Sequence, residues 1–229
     1  MARSSGKIDV YLEVGKKRIF AAAVEWPGWS RSGKNEAEAL ESLLAYGTRY
    51  ARAVRTARLG FTSPQDVSAF RITERVAGNA TTDFGTPGVP PPADERPLSE
   101  AELARLKKIW RACWREFEAV SEAAHGRALR KGPRGGGRDL DKIVEHVLGG
   151  EQSYLTALGG KVELEKGAGL EEQMEPTREA VLETLEQSRQ GKIAPFGPRG
   201  GRRWTARYFI RRSAWHLLDH AWEIEDRIE

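Results

Sequence analysis

Three of the four histidines in this 229-residue chain fall at positions where core leucines would be expected. His216 and His220 lie four residues apart in Trp215-His216-Leu217-Leu218-Asp219-His220, on one face of a predicted helix. His146 lies in Ile143-Val144-Glu145-His146-Val147, on the apolar stripe of an earlier amphipathic helix. Imidazole is costly to bury unless it is paired or bound to a metal. Three imidazoles around one divalent ion, with a position left open, form a standard catalytic metal arrangement. Such an ion would lower the pKa of a bound water or thiol. Glu145, Asp219 and Glu223 are candidates to orient an imidazole through its second nitrogen. Arg212, one turn before His216, is a candidate for a substrate anion. No residue is assigned as catalytic. His125, beside Gly126, reads as a structural histidine at a helix C-terminus.

These residues need helices to carry them. Ser99 with Glu102 forms a capping box that opens a helix with Leu103, Leu106, Ile109, Trp110, Cys113, Phe117 and Val120 on one stripe. Further helices are predicted over about 139–158, 177–189 and 204–228. Together they make a four-helix bundle, an architecture that builds ligand sites from facing helices. Gly149 and Gly150 sit inside the second of these helices at a cost of roughly 1 kcal/mol each relative to Ala. They imply close helix approach, room for a ligand, or a kink.

Two loops nearly repeat each other: Gly132-Pro133-Arg134-Gly135-Gly136-Gly137-Arg138 and Gly197-Pro198-Arg199-Gly200-Gly201-Arg202-Arg203. Each precedes a histidine-bearing helix. Free N–H groups at a helix start favour anions, which makes Arg134 and Arg199 candidates for anion or substrate binding. The alternative is two flexible connectors with solubilising arginines. Neither loop has phosphate-loop or dinucleotide-fingerprint spacing.

Upstream, the pattern changes. Ile8, Val10, Leu12 and Val14 alternate along a strand, Gly15-Lys16-Lys17 turns, and residues 18–25 return as a hairpin. Trp26-Pro27-Gly28-Trp29 ends the second strand. Asn35 caps a helix expected from Glu36 towards Leu59, and residues 66–76 read as a third strand. Residues 81–98 hold five prolines and two glycines and read as a spacer. The expected organisation is therefore α+β: a small ββαβ N-terminal domain over 1–80, a Pro-rich linker over 81–98, and an all-α four-helix bundle over 99–229.

Composition narrows the classes. The single cysteine, Cys113, excludes an intramolecular disulfide and a multi-cysteine zinc site. The net charge is +4, with its basic excess in the N-terminal part, which is the balance of a solvated surface rather than a nucleic-acid footprint. No apolar run approaches membrane-spanning length, and the first residues lack a signal-peptide core, so the chain reads as cytoplasmic with no membrane partner.

The C-terminal part, on His146, His216, His220 and the preceding Trp215, resembles the DinB/YfiT-like superfamily of four-helix-bundle metalloproteins. That resemblance implies a metal triad at these three histidines, zinc or nickel as the ion, and often a dimer. It also implies a thiol-dependent transferase or isomerase, or a hydrolase, acting on a small molecule with a low-molecular-weight thiol such as bacillithiol or mycothiol. The Gly-Pro-Arg-Gly-Gly loops depart from the family's usual pattern. The hairpin, Trp26-Pro27-Gly28-Trp29 and Asn35-Glu36-Ala37-Glu38-Ala39-Leu40 resemble a HicB-like module, a fold similar to a partial double-stranded-RNA-binding domain. HicB-like members act as antitoxins against a small RNase, although this chain lacks the DNA-binding tail they often carry; a packing or dimerisation role is expected here. The competing expectation is a non-enzymatic binding module, capturing a protein or RNA through the N-terminal unit, with a structural bundle behind it.

Overall fold

The computed structural model describes residues 6–131 and 137–229. The chain is α+β and divides into two compact units, Met1–Arg96 and Pro97–Glu229.

The first unit is a four-stranded sheet in the order β3-β2-β1-β4. Strands β1 (Ile8–Val14) and β2 (Ile19–Ala23) form the expected hairpin, with Val14 opposite Ile19 and Val10 opposite Ala23. Gly15 N–H closes the turn on the Arg18 carbonyl at 2.9 Å. A strand absent from the sequence reading, β3 (Ser30–Gly33), pairs antiparallel with β2. Trp26-Pro27-Gly28-Trp29 does not end the sheet but turns the chain back into β3. Gly28 takes a positive φ of 93°, and Trp29 N–H reaches the Trp26 carbonyl at 3.1 Å.

The expected long helix is two helices, α1 (Glu36–Ala45) and α2 (Gly47–Ala53), followed by a 3-10 turn at Arg55–Ala57. Asn35 caps α1 through Glu38 N–H at 2.9 Å. The two helices meet at Tyr46, next to Gly47. A Cβ on Gly47 would lie 2.4 Å from the Ser63 hydroxyl, so the chain after α2 folds back close against this point. Strand β4 (Phe70–Ala77) then joins β1 in parallel. Trp29, Tyr50 and Phe61 interlock, with Trp29 stacked on Tyr50 at 5.7 Å. The Trp29 indole donates to the Leu43 carbonyl at 2.8 Å and the Tyr50 hydroxyl to the Pro27 carbonyl at 2.9 Å. Both polar handles are thereby satisfied inside the core.

The Pro-rich segment carries structure of its own. A short helix α3 (Ala80–Phe84) is capped by Asn79, and a 3-10 turn spans Pro92–Glu95. Strand β1 is buried on both faces, which encloses the carboxylate of Glu13. The segment supplies its partners: Thr82 Oγ1 donates to one oxygen, Gly88 N–H reaches the same oxygen at 2.9 Å, and Val89 N–H the other at 3.2 Å.

The second unit is a helical bundle of α4 (Glu100–Ala123), α5 (Leu140–Leu158), α6 (Leu170–Arg189) and α7 (Ala206–Arg227). Ser99 and Glu102 form the expected capping box, and Glu102 also pairs with Arg207 at 2.8 Å. Helix α5 packs against α6 and α7, and α4 against α6 and α7. Helix α6 begins at Leu170, seven residues before the expected start, and runs through Pro176. Glu172 accepts the Gly169 N–H at 2.7 Å at its first turn, which ties down an end too polar to show an apolar stripe. Helix α5 is continuous through Gly149 and Gly150. Among the described residues, no helix is long and apolar enough to cross a membrane.

Candidate metal centre

Helix α5 and helix α7 bring the three histidines together. One ligand nitrogen from each of His146, His216 and His220 lies within 4.8 Å of the others. The ring centroids are 5.0 Å apart for His146 and His216, 4.9 Å for His146 and His220, and 4.7 Å for His216 and His220. The Nε2 atoms of His146 and His216 are 3.2 Å apart. Two nitrogens bound tetrahedrally to zinc at about 2.0–2.1 Å are themselves separated by about 3.3–3.4 Å. The His146–His216 pair therefore has the spacing of two ligands on one such ion, and the three imidazoles together could hold it.

The local causes are visible in the sequence. The four-residue spacing stacks His216 and His220 on one face of α7, and the apolar stripes of α5 and α7 turn that face inward. Gly150 is the remaining requirement. A Cβ at this position would lie 2.6 Å from His216 Cε1 and 3.0 Å from its Nδ1. The His216 ring therefore rests against the bare backbone of α5. Gly149 has no such neighbour and faces outward.

The three rings differ in their surroundings. His216 is buried, at 5% exposure, and its Nδ1 has no hydrogen-bond partner among the described residues. Burial, followed by the His220 and Arg212 charges, holds its pKa well below the ordinary imidazole value. His146 is lowered too, again first by burial and then by the His220 and Arg138 charges. Both rings are thus neutral at pH 7 and keep the lone pairs that ligation needs. His220 Nδ1 is 2.8 Å from Glu223 Oε2. This leaves Nε2 as the nitrogen of His220 that faces the cluster. Glu223 also takes a hydrogen bond from Arg227, and its His220 and Arg227 partners hold its carboxyl below the usual range.

The structure sorts the other expected residues. Of the three candidates for orienting an imidazole, Glu223 is hydrogen-bonded to one. Glu145 is exposed on α5, and Asp219 occupies a partly accessible position on α7. Arg212 stands beside the cluster, its guanidinium carbon 4.7 Å from the Trp215 ring centre and 5.1 Å from that of Tyr154. Arg199 is exposed in a turn closed by Gly200 N–H on the Gly197 carbonyl at 2.9 Å. Arg134 lies outside the described residues. His125 follows the end of α4 and lines a recess of about 720 Å³ with Glu118, Asp141, Val144 and Met174, separate from the cluster residues.

The sequence reading missed a buried network beside the cluster. Glu151 of α5 is completely buried and accepts a hydrogen bond from Ser213 Oγ of α7, which in turn accepts the Trp110 indole N–H of α4 at 2.7 Å. Burial pushes the Glu151 carboxyl up to about 7, against the opposing effect of Ser213. The signal was present: Ile143, Val147, Glu151 and Leu155 recur every four residues, so Glu151 occupies a core position of α5.

No family model, curated protein or solved structure matches this chain.

Proposed function

We propose that the C-terminal bundle holds a divalent cation, zinc or nickel, on His146, His216 and His220, and acts on a small molecule with a thiol or water as its second reactant. This is the activity expected of DinB/YfiT-like transferases, isomerases and hydrolases. The observation that carries the reading is the meeting of three imidazole nitrogens within 4.8 Å, from two helices, at positions that otherwise hold core residues. Three isolated structural histidines would each be expected to find a separate partner. When bound, the ion supplies Lewis acidity that lowers the pKa of a thiol or water beside it.

The chain's own residues prepare that chemistry. Glu223 accepts from His220 Nδ1–H and so fixes the tautomer and ring angle. Gly150 admits the His216 ring to the helix interface. Burial keeps His146 and His216 neutral at the working pH. The Tyr154 ring of α5 packs edge-on against that of His216, 5.5 Å away.

The test is metal content. The full chain, purified and dialysed, is expected to retain about one divalent ion per chain by plasma mass spectrometry. His216→Ala is expected to retain less than about a tenth of that while still melting cooperatively. Wild-type protein that binds neither zinc nor nickel would overturn the proposal.

A further inference from the structure

We infer that Arg212 forms a carboxylate-binding subsite of the three-histidine centre, suited to a small carboxylate with an apolar or aromatic body. This rests on the proposed metal centre for its catalytic meaning, though not for the binding itself.

Four other arginines of the bundle face a carboxylate. Arg178 pairs with Glu118 and Glu175, Arg189 with Glu186, Arg207 with Glu102, and Arg227 with Glu223. Arg212 has no ion pair among the described residues, and its Nη1 is shielded from solvent without a hydrogen-bond partner. A charged donor in that state is costly. The faces of Trp215 and Tyr154 offset part of the cost, because their π electrons attract the cation. They cannot supply the in-plane acceptors that a guanidinium fork demands. A carboxylate matches that fork in shape and charge.

The position gives this demand a direction. Arg212 lies four residues before His216, hence on the same face of α7. Tyr154 neighbours both: its ring centre is 5.1 Å from the Arg212 guanidinium carbon and 5.5 Å from the His216 ring. Trp204 packs on Tyr154 at 5.2 Å and extends the aromatic wall. An anion held by Arg212 would thus have its body against aromatic rings and next to the histidine cluster. Those walls favour an apolar or aromatic acid over a hydrated one such as phosphate.

The decisive experiment is calorimetric titration of the zinc-loaded full chain with benzoate at low ionic strength, with acetate and inorganic phosphate run in parallel. Benzoate is expected to bind tightest. Arg212→Met is expected to weaken it at least about tenfold, the loss expected when a charge-assisted hydrogen bond is removed. Arg212→Lys, which keeps the charge and loses the fork, should fall between the two and carries the test if Arg212→Met does not fold. Both variants should keep the wild-type zinc content. The inference is overturned if wild type does not bind benzoate, if Arg212→Met and Arg212→Lys bind it as wild type does, or if phosphate binds more tightly than benzoate. Each of these three results leaves the metal reading standing so long as the zinc content holds. Conversely, a His216→Ala protein that has no zinc but still binds benzoate through Arg212 supports the subsite on its own.

Discussion

Each unit of this protein buries a glutamate completely, and the two are treated in opposite ways. Glu13, in the central strand of the sheet, receives three donors from the Pro-rich segment, two of them backbone N–H groups. Glu151, in the helical bundle, receives the Ser213 hydroxyl on one oxygen, and the other has no hydrogen-bond partner among the described residues. The same contrast extends around Glu151, where His216 Nδ1 and Arg212 Nη1 are also buried without partners. In the first unit a buried carboxyl is answered by the fold and ties a loop to a sheet. In the second, Glu151 of α5 and Arg212 and His216 of α7 each keep a buried polar atom with its bonding capacity unused, beside three convergent imidazoles. Unused bonding capacity next to convergent metal-ligating side chains is the kind of place where a ligand is expected to bind.

The contrast can be broken most forcefully at Glu151. A carboxyl whose pKa rises on folding, here from an ordinary 4.5 to about 7, keeps a proton that the unfolded chain has already lost. Its stabilising share is whole below about pH 4.5 and is lost as pH rises to about 7, a swing of about 3 kcal/mol. Glu151→Gln should therefore flatten the stability difference between pH 4.5 and 7 in urea titrations. An unchanged pH profile would show that folding does not raise the pKa of this carboxyl.

Glu13→Gln sharpens the other side. Turning an acceptor oxygen into an NH₂ group among these donors should cost about 1–3 kcal/mol of stability. Metal content should not change, and a loss of metal in this variant would mean that the two units do not keep their roles apart.

The smallest effects on stability come from the adjacent glycines of α5. Gly150→Ala should lower zinc affinity by about 10–100-fold, as expected when an imidazole is displaced from its set orientation. Its effect on stability sets the gain of Ala over Gly in a helix against the cost of shifting a buried ring. Gly149→Ala meets nothing within 4 Å and should leave zinc affinity alone while raising stability by up to about 1 kcal/mol. Competitive chelator titration and thermal melting on both variants distinguish the two positions. Equal zinc affinity in both would remove Gly150 from the site.

The histidine trio was legible because imidazoles on apolar stripes violate the pattern that surrounds them, and helical spacing says which face they share. The hairpin, the Ser99–Glu102 capping box and the bundle helices were legible for the same local reasons. Strand β3 was not. Ser30-Arg31-Ser32-Gly33 has no alternating apolar residues, and it pairs through its backbone at the sheet edge once Gly28 has turned the chain. The start of α6 was hidden by Pro176, which reads as a helix boundary although the helix runs through it. The break at Tyr46 lies beside the point where Ser63, sixteen residues after Gly47, packs closely against the chain, a tertiary contact that no local window contains. Nor could the sequence assign the partners of Arg212, because which acids reach which arginines is decided only when the helices are packed.

The fit between the His216 ring and the bare backbone at Gly150 bears on any attempt to transplant this centre. Copying three imidazoles onto another bundle would reproduce the donors but not the space one of them occupies. A working graft must also carry a residue without a side chain, one helix away from the ligand it serves, so the smallest portable unit of this site is four positions on two helices.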